Sequence, residues 1–199
     1  RRFIDKADST AREEIERLVL AVGTDVVKVD MFLNHRIDTA LMFRMGKALA
    51  AHFSEKSPEM ILTVEASGIA LALATANALG DLPVVFAKKS ATVVQSPDVA
   101  QARVYSFTHK TENTIRVDKR YLPSGGRVLI VDDFLADGQA AQGMIALCRQ
   151  QGCEVVGVGV AIEKGFQPGG RALREMGVDL KSLAVITAIR DGKFLFADD

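Results

Sequence analysis

Cysteine is nearly missing from this chain: Cys148 and Cys153 are the two present among 199 residues. Two thiols cannot build a disulfide scaffold, and their spacing matches no metal site, with no histidine pair nearby to complete one. Cys148 falls on the apolar stripe of a predicted helix, which reads as a buried, reduced thiol. Net charge is missing as well, since 25 lysines and arginines balance 25 aspartates and glutamates. A non-specific binder of nucleic acid or of a membrane surface normally carries a basic excess, so the balance speaks against both. It leaves room for a local basic site that takes a small polyanion. Nor is there a long apolar run: the longest, Ile69 to Leu79, is too short for a bilayer and is interrupted by Thr75 and Asn77. No apolar signal-peptide core follows Arg1-Arg2-Phe3, and repeats, low-complexity tracts and long linkers are absent. These absences lead to the expectation of a cytosolic protein with one packed domain over residues 1–199.

What is present is an alternation of strand and helix. Thr10 and Glu13 have capping-box spacing, and Ile15, Leu18, Val19 and Val22 continue as a helical stripe. A second helix is predicted from near Asp38, with Leu41, Met42, Met45, Leu49 and Phe53 on one face. Met60 to Val64 reads as a buried strand, then come the turn Glu65-Ala66-Ser67-Gly68, a helix ending at Gly80, and a strand from Pro83 to Ala87. Residues 90 to about 118 break the rhythm. There, Arg103 to Thr108 and Thr114 to Val117 read as hairpin strands around a polar turn. Alternation resumes with a strand from Arg127 to Val131, a helix from Gly138 to Gln151 and a strand from Glu154 to Ile162. After a Gly/Pro-rich loop and a short helix, a strand from Leu183 to Ile189 turns at Asp191-Gly192 into a last strand, Lys193 to Phe196. This order predicts an α/β fold with a mainly parallel central sheet and helices on both faces. Ligands of such sheets lie beyond the carboxyl ends of the strands, here Glu65 to Gly68, Lys88-Lys89, Asp132 to Ala140 and Glu163 to Gly170.

The strongest chemical signal is the run from Val128 to Ala140. Four apolar residues deliver Asp132 and Asp133 to the sheet's carboxyl edge, and the small-residue loop Ala136-Asp137-Gly138-Gln139-Ala140 opens a helix. Two carboxylates can accept hydrogen bonds from vicinal hydroxyls, while backbone N–H groups at a helix start suit a phosphate. The pair of features fits a ribose 5-phosphate. A strand ending in Asp-Asp also occurs in Walker B and receiver sites. No G-x-x-x-x-G-K-[ST] accompanies it here, which removes the nucleoside-triphosphatase reading.

On those residues the segment resembles the 5-phosphoribosyl 1-diphosphate (PRPP) signature of type I phosphoribosyltransferases. The resemblance implies that Asp132 and Asp133 face the ribose hydroxyls and that Ala136 to Ala140 wrap the 5-phosphate. Glu65, Ala66, Ser67 and Gly68 are similar to that family's diphosphate loop, although taken alone they fit an ordinary turn into a helix. Lys88 and Lys89 would neutralise the diphosphate, or serve only solubility. The hairpin at residues 90–118 stands where the family carries a flap that keeps water from a ribosyl-cation-like centre.

Lys28 to His35, Val104 to Thr108 and Ile162 to Gly169 narrow the resemblance to the Bacillus-type xanthine phosphoribosyltransferases, from about Val26 onward. That likeness implies a small purine-side lobe including residues 24–38, with the base met by Val27 backbone, Asn34 and Lys164. The chemistry agrees. Lysine only donates, so Lys164 suits the O6 and N7 acceptors of a 6-oxopurine, and the Asn34 amide can donate to a 2-oxo group. In isolation Asn34 would read as a turn residue and Lys164 as a surface charge. Phe134 and Phe166 flank the site and can stack on the base, with core packing an equal reading for Phe134. The implied reaction joins xanthine to PRPP, giving xanthosine 5′-monophosphate and pyrophosphate, with Mg²⁺ arriving on PRPP and a homodimer as the assembly.

Two residues depart from the pattern. Asp137 stands where related loops carry Thr or Asn, and a carboxylate beside a phosphate is unfavourable unless it caps the helix through a backbone N–H. Ala136 occupies the place where the hypoxanthine-guanine branch has a general-base aspartate. The rival readings are another 6-oxopurine or adenine transferase, and a PRPP-sensing regulator that binds nucleic acid. For the latter, the roughly 25 residues before Val26 fall short of a winged helix.

Overall fold

The computed structural model of the chain describes residues 11–22, 26–28, 33, 35–89, 98–106, 111–190 and 193–197. Helix α1, residues 11–18, buries Ala11 and Ile15. The expected stripe stops short here. Val22 belongs to a strand, β1 (Leu20–Val22), paired antiparallel with β2 (Val26–Lys28). Val22, Val26 and Val27 are β-branched, and a ladder of extended partners outweighs the helical spacing. Thr10, the expected cap, lies outside the described residues.

Helix α2 (Thr39–Phe53) forms as its spacing predicts, and the Asp38 carboxylate accepts from Leu41 N–H at 3.0 Å. All five predicted face residues, Leu41, Met42, Met45, Leu49 and Phe53, are buried. Strand β3 (Met60–Val64) is buried along its whole length, as a central parallel strand covered on both faces must be. Helix α3 (Gly68–Ala78) has eleven residues, short of the ~12–15 that are marginal alone, so packing of Leu71, Ala72 and Ala74 holds it. It ends at Gly80, whose φ of 91° is open to glycine. The remaining elements are β4 (Val84–Ala87), β5 (Val99–Ser106), β6 (Thr111–Asp118), β7 (Arg127–Leu135), α4 (Gln139–Gln151), β8 (Glu154–Lys164), α5 (Gly169–Glu175), β9 (Leu180–Arg190) and β10 (Lys193–Phe196).

Six strands form the main sheet in the order β10-β9-β8-β7-β3-β4, parallel except for β10 against β9. The chain moves outward from β3 to β4 in one direction and from β7 through β8 to β9 in the other. The junction of β3 and β7 is therefore the topological switch point, where a crevice opens at the carboxyl ends. One face of the sheet carries α1, α2 and α3 around Ile15, Leu41, Met45 and Phe53. The other carries α4 and the hairpin β5–β6, which pairs from Val99 with Asp118 to Ser106 with Thr111. Both strands run longer than the sequence signal at their outer ends, β5 beginning at Val99 and β6 ending at Asp118, while residues 107–110 lie outside the described residues. The hairpin seats on α4 at Gly143, where a Cβ would lie 2.5 Å from Val104 Cγ2. Cys148, on the buried face of α4, has its thiol pushed up to about 12, by burial first and then by the neighbouring Cys153. No helix among the described residues is long and apolar enough to cross a membrane.

Candidate active site

The acid pair does not stand at the end of β7 but inside it. The sequence signal ends the strand at Val131, whereas the ladder with β8 continues to Leu135 opposite Glu163. On its other side β7 leaves β3 after Ile130, opposite Leu62. Asp132 and Asp133 thus lie on the length of β7 that is paired on one side and faces the switch-point crevice on the other. Both are 6% exposed. Burial, then the charge of Asp133, holds the Asp132 carboxyl well above the usual carboxylate range, with Lys89 pulling slightly the other way. Asp132 Oδ1 also accepts from Asp133 N–H at 2.9 Å.

The turn after β3 closes one wall of the crevice. A Cβ at Gly68 would fall 2.3 Å from Thr63 Oγ1 and 2.8 Å from Asp132 Oδ1, so a larger residue cannot sit there while both hold their places. Thr63 Oγ1 is buried without a hydrogen-bond partner among the described residues. The peptide bond between Glu65 and Ala66 is cis. Glu65 faces the neighbouring strand end, its carboxylate accepting from Lys89 N–H at 2.7 Å. The two lysines diverge in role. Lys89 is the one whose charge reaches Asp132, while the Lys88 ammonium lies 6.0 Å from the Phe86 ring centroid. The Lys88 backbone exchanges two hydrogen bonds of 2.9 Å with Arg116 and so joins β6 to the end of β4.

The loop from Ala136 to Ala140 follows β7 and opens α4. Asp137 Oδ1 accepts from Gln139 N–H at 3.1 Å, so this acid caps the helix's first turn. Gly138 has φ of 85°, and its missing side chain admits Gly169 Cα, 2.9 Å from where a Cβ would be. The reverse holds more tightly: a Cβ at Gly169 would meet Ala136 O at 2.5 Å and Gly138 N at 2.6 Å. Gly169 N–H in turn donates to Ala136 O at 3.1 Å. Two glycines thus let the loop after β7 and the start of α5 lie backbone against backbone.

At the end of β8 the Lys164 ammonium sits 5.9 Å from the Phe134 ring centroid, and Phe134 is half-buried against the core. Phe166 is 41% exposed. Leu33, Ile37, Ala66, Ser67 and Ala70 line a cavity of about 320 Å³, which sets the segment before α2 against the turn after β3. Val27 lies in β2, and Asn34 falls outside the described residues.

One buried acid lies at a strand end marked from the sequence but receives no role there. Glu163, 2% exposed, receives two 2.7 Å hydrogen bonds from Arg174 and one of 2.5 Å from Ser182 Oγ. Burial alone would raise its carboxyl, but the Arg174 and Ser182 hydrogen bonds and the guanidinium charge outweigh it and hold the group below the usual range. A depressed folded-state value contributes stability above the unfolded pKa, and that contribution is lost as pH falls through the folded one. Wild type is therefore expected to lose more melting temperature than Glu163→Gln as pH falls below about 4.3, the ordinary Glu value. Melts of both proteins at pH 6 and at roughly pH 3.5 check this, and parallel losses would contradict it.

The crevice offers two buried acids at a switch point, a helix start beside them whose first residue, Gln139, donates to Asp137, a lysine near the acids, and a lysine beside an aromatic ring. This arrangement can take a phosphorylated sugar with a second anionic group. The chain matches the family described as the phosphoribosyl transferase domain over residues 35–179. It is 47% identical over 181 residues to a xanthine phosphoribosyltransferase of Bifidobacterium adolescentis, covering 89% of this chain and 94% of that protein. It is 47% identical over 191 residues to a xanthine phosphoribosyltransferase of Geobacillus thermodenitrificans, covering 94% and 98%. In fold it is similar to the crystal structure of adenine phosphoribosyltransferase from Rhodothermus marinus, with a TM-score of 0.73 at 24% identity, over 89% of this chain and 99% of that one.

Proposed function

The chain belongs to the phosphoribosyltransferase family, in its xanthine phosphoribosyltransferase branch, and from that premise we propose that it transfers the 5-phosphoribosyl group of PRPP to N9 of xanthine. The products are xanthosine 5′-monophosphate and pyrophosphate. The single observation that carries the site reading is the buried acid pair at the β3–β7 switch point, between the 65–68 turn and the 136–140 loop.

In this reading each wall has one task. The carboxyl groups of Asp132, whose burial favours its protonated form, and of Asp133 are the partners for hydroxyls. Together they meet two vicinal ribose hydroxyls. Backbone N–H groups of the 136–140 loop take the 5-phosphate at the positive end of α4. Ala66, Ser67 and Gly68 take the diphosphate with Lys88 and Lys89, while Glu65 ties that loop to Lys89. Val27, Asn34 and Lys164 read the base edge, and Phe134 and Phe166 take its faces. The bond from C1 to diphosphate breaks as N9 bonds to C1, and the chain contributes by orientation and by stabilising charge. Mg²⁺ enters on the diphosphate of PRPP, as part of the substrate. A homodimer acting on these two small molecules completes the proposal.

Steady-state kcat/KM across purine bases tests it. Xanthine should be best, guanine and hypoxanthine poor, and adenine without measurable turnover; a preference for adenine would overturn it.

The capping role of Asp137 gives a second expected outcome. Asn and Thr keep an acceptor for Gln139 N–H and remove one negative charge beside the phosphate. Asp137→Asn should bind PRPP equally or more tightly by calorimetry at neutral pH. Clear weakening in a folded variant would mean that the carboxylate makes a further contact.

A further inference from the structure

We propose that Glu163 is a positioning residue that sets the base-side and phosphate-side loops as one unit. This rests on the xanthine-transfer reading of the site. Glu163 is the second-last residue of β8, and the chain leaves it through Lys164, turns at Gly165 to Pro168, and returns over the same carboxylate at Gly170. The return is close: a Cβ at Gly170 would lie 1.9 Å from Glu163 Oε1. Arg174, one turn further along α5, grips both carboxylate oxygens at 2.7 Å, and Ser182 on β9 holds Oε2 at 2.5 Å. Lys164 and Phe166 leave this anchor toward the base side. Gly169, the residue before Gly170, donates to Ala136 O at 3.1 Å and leaves no room for a Cβ against the 136–138 backbone.

One carboxylate therefore fixes where the purine lysine starts and where the phosphate loop rests. Well-packed apolar residues can replace a buried ion pair with little loss of stability, so stability alone does not call for a charge here. A bidentate fork does something an apolar contact cannot, which is to fix direction as well as distance.

The test measures kcat and both KM values, for purine and for PRPP, in wild type, Glu163→Gln, Arg174→Lys and Ser182→Ala. All are assayed well below their melting midpoints, with the purine that wild type prefers. Glu163→Gln is expected to raise both KM values together by about tenfold with kcat within about threefold. Arg174→Lys keeps the charge without the fork and should show a smaller parallel rise, with Ser182→Ala smaller still. Folded variants whose KM values stay at wild type, or in which only one rises, overturn the proposal. Should Glu163→Gln fail to fold, the other two variants carry the same criterion. Wild type that rejects xanthine contradicts the substrate assignment instead, and the paired KM values still decide the role of Glu163.

Discussion

Asp133→Asn is expected to lose on the order of a hundredfold in turnover while remaining folded. The side chain keeps its shape and is 6% exposed, so packing changes little. Its charge is also one of the causes that hold Asp132 high. With that charge gone, Asp132 is still raised by its burial, and only the contribution of its neighbour is lost. What changes is that an amide, with two donors and one acceptor oxygen, replaces a carboxyl group beside the hydroxyls. Turnover should therefore fall because the hydroxyls of the ribose meet the wrong partners, and loss of net charge is the smaller effect. Purified variant with a melting temperature near wild type and turnover within about threefold would remove the ribose-binding role from Asp133.

Asn34→Ala should cut the preference for xanthine over hypoxanthine by roughly one to two powers of ten, while Lys164→Ala should harm all 6-oxopurines alike. Hypoxanthine lacks the 2-oxo group, so an amide aimed at that oxygen has nothing to pair with, and an unpaired buried donor costs about 1–3 kcal/mol. Every 6-oxopurine carries the acceptors that a lysine meets, so removing the ammonium cannot discriminate among them. The Phe134 ring 5.9 Å from the Lys164 ammonium helps aim it without neutralising it. The measurement is kcat/KM for each base at saturating PRPP. An Asn34→Ala protein that keeps the wild-type ratio would end the assignment of Asn34.

Much of this site is legible in the residues because its parts are local. Asp132 and Asp133 follow four apolar residues and precede a small-residue loop, and those neighbours suffice to point to the sheet's carboxyl side. The cap made by Asp137 is equally local, reaching two residues ahead. What escapes is whatever depends on partners far along the chain. Glu163 draws its meaning from Arg174, 11 residues on, and Ser182, 19 residues on. Glu65 draws its own from Lys89, 24 residues away. A signal for Glu163 was present all the same, as an acid at the end of a buried apolar strand followed by Gly169-Gly170. Two adjacent glycines after such an acid point to backbone that must approach something closely. The length of β7 was hidden for a related reason. Acids read as a strand's end, and only the β8 ladder, visible in three dimensions, carries the strand through them.

The thiol on the buried face of α4 has a consequence for how the protein meets oxidants. With its value near 12, Cys148 is a thiolate in on the order of 10⁻⁵ of molecules at neutral pH. The thiolate is the nucleophile that attacks a peroxide or a disulfide, so the first step toward a sulfenic acid is slowed at this residue while the helix stays packed. Cys153 is raised as well and donates to Pro123 O at 3.3 Å. Between them the chain keeps both its thiols out of redox chemistry while the fold holds, and an oxidant meets the exposed thioether of Met176 first.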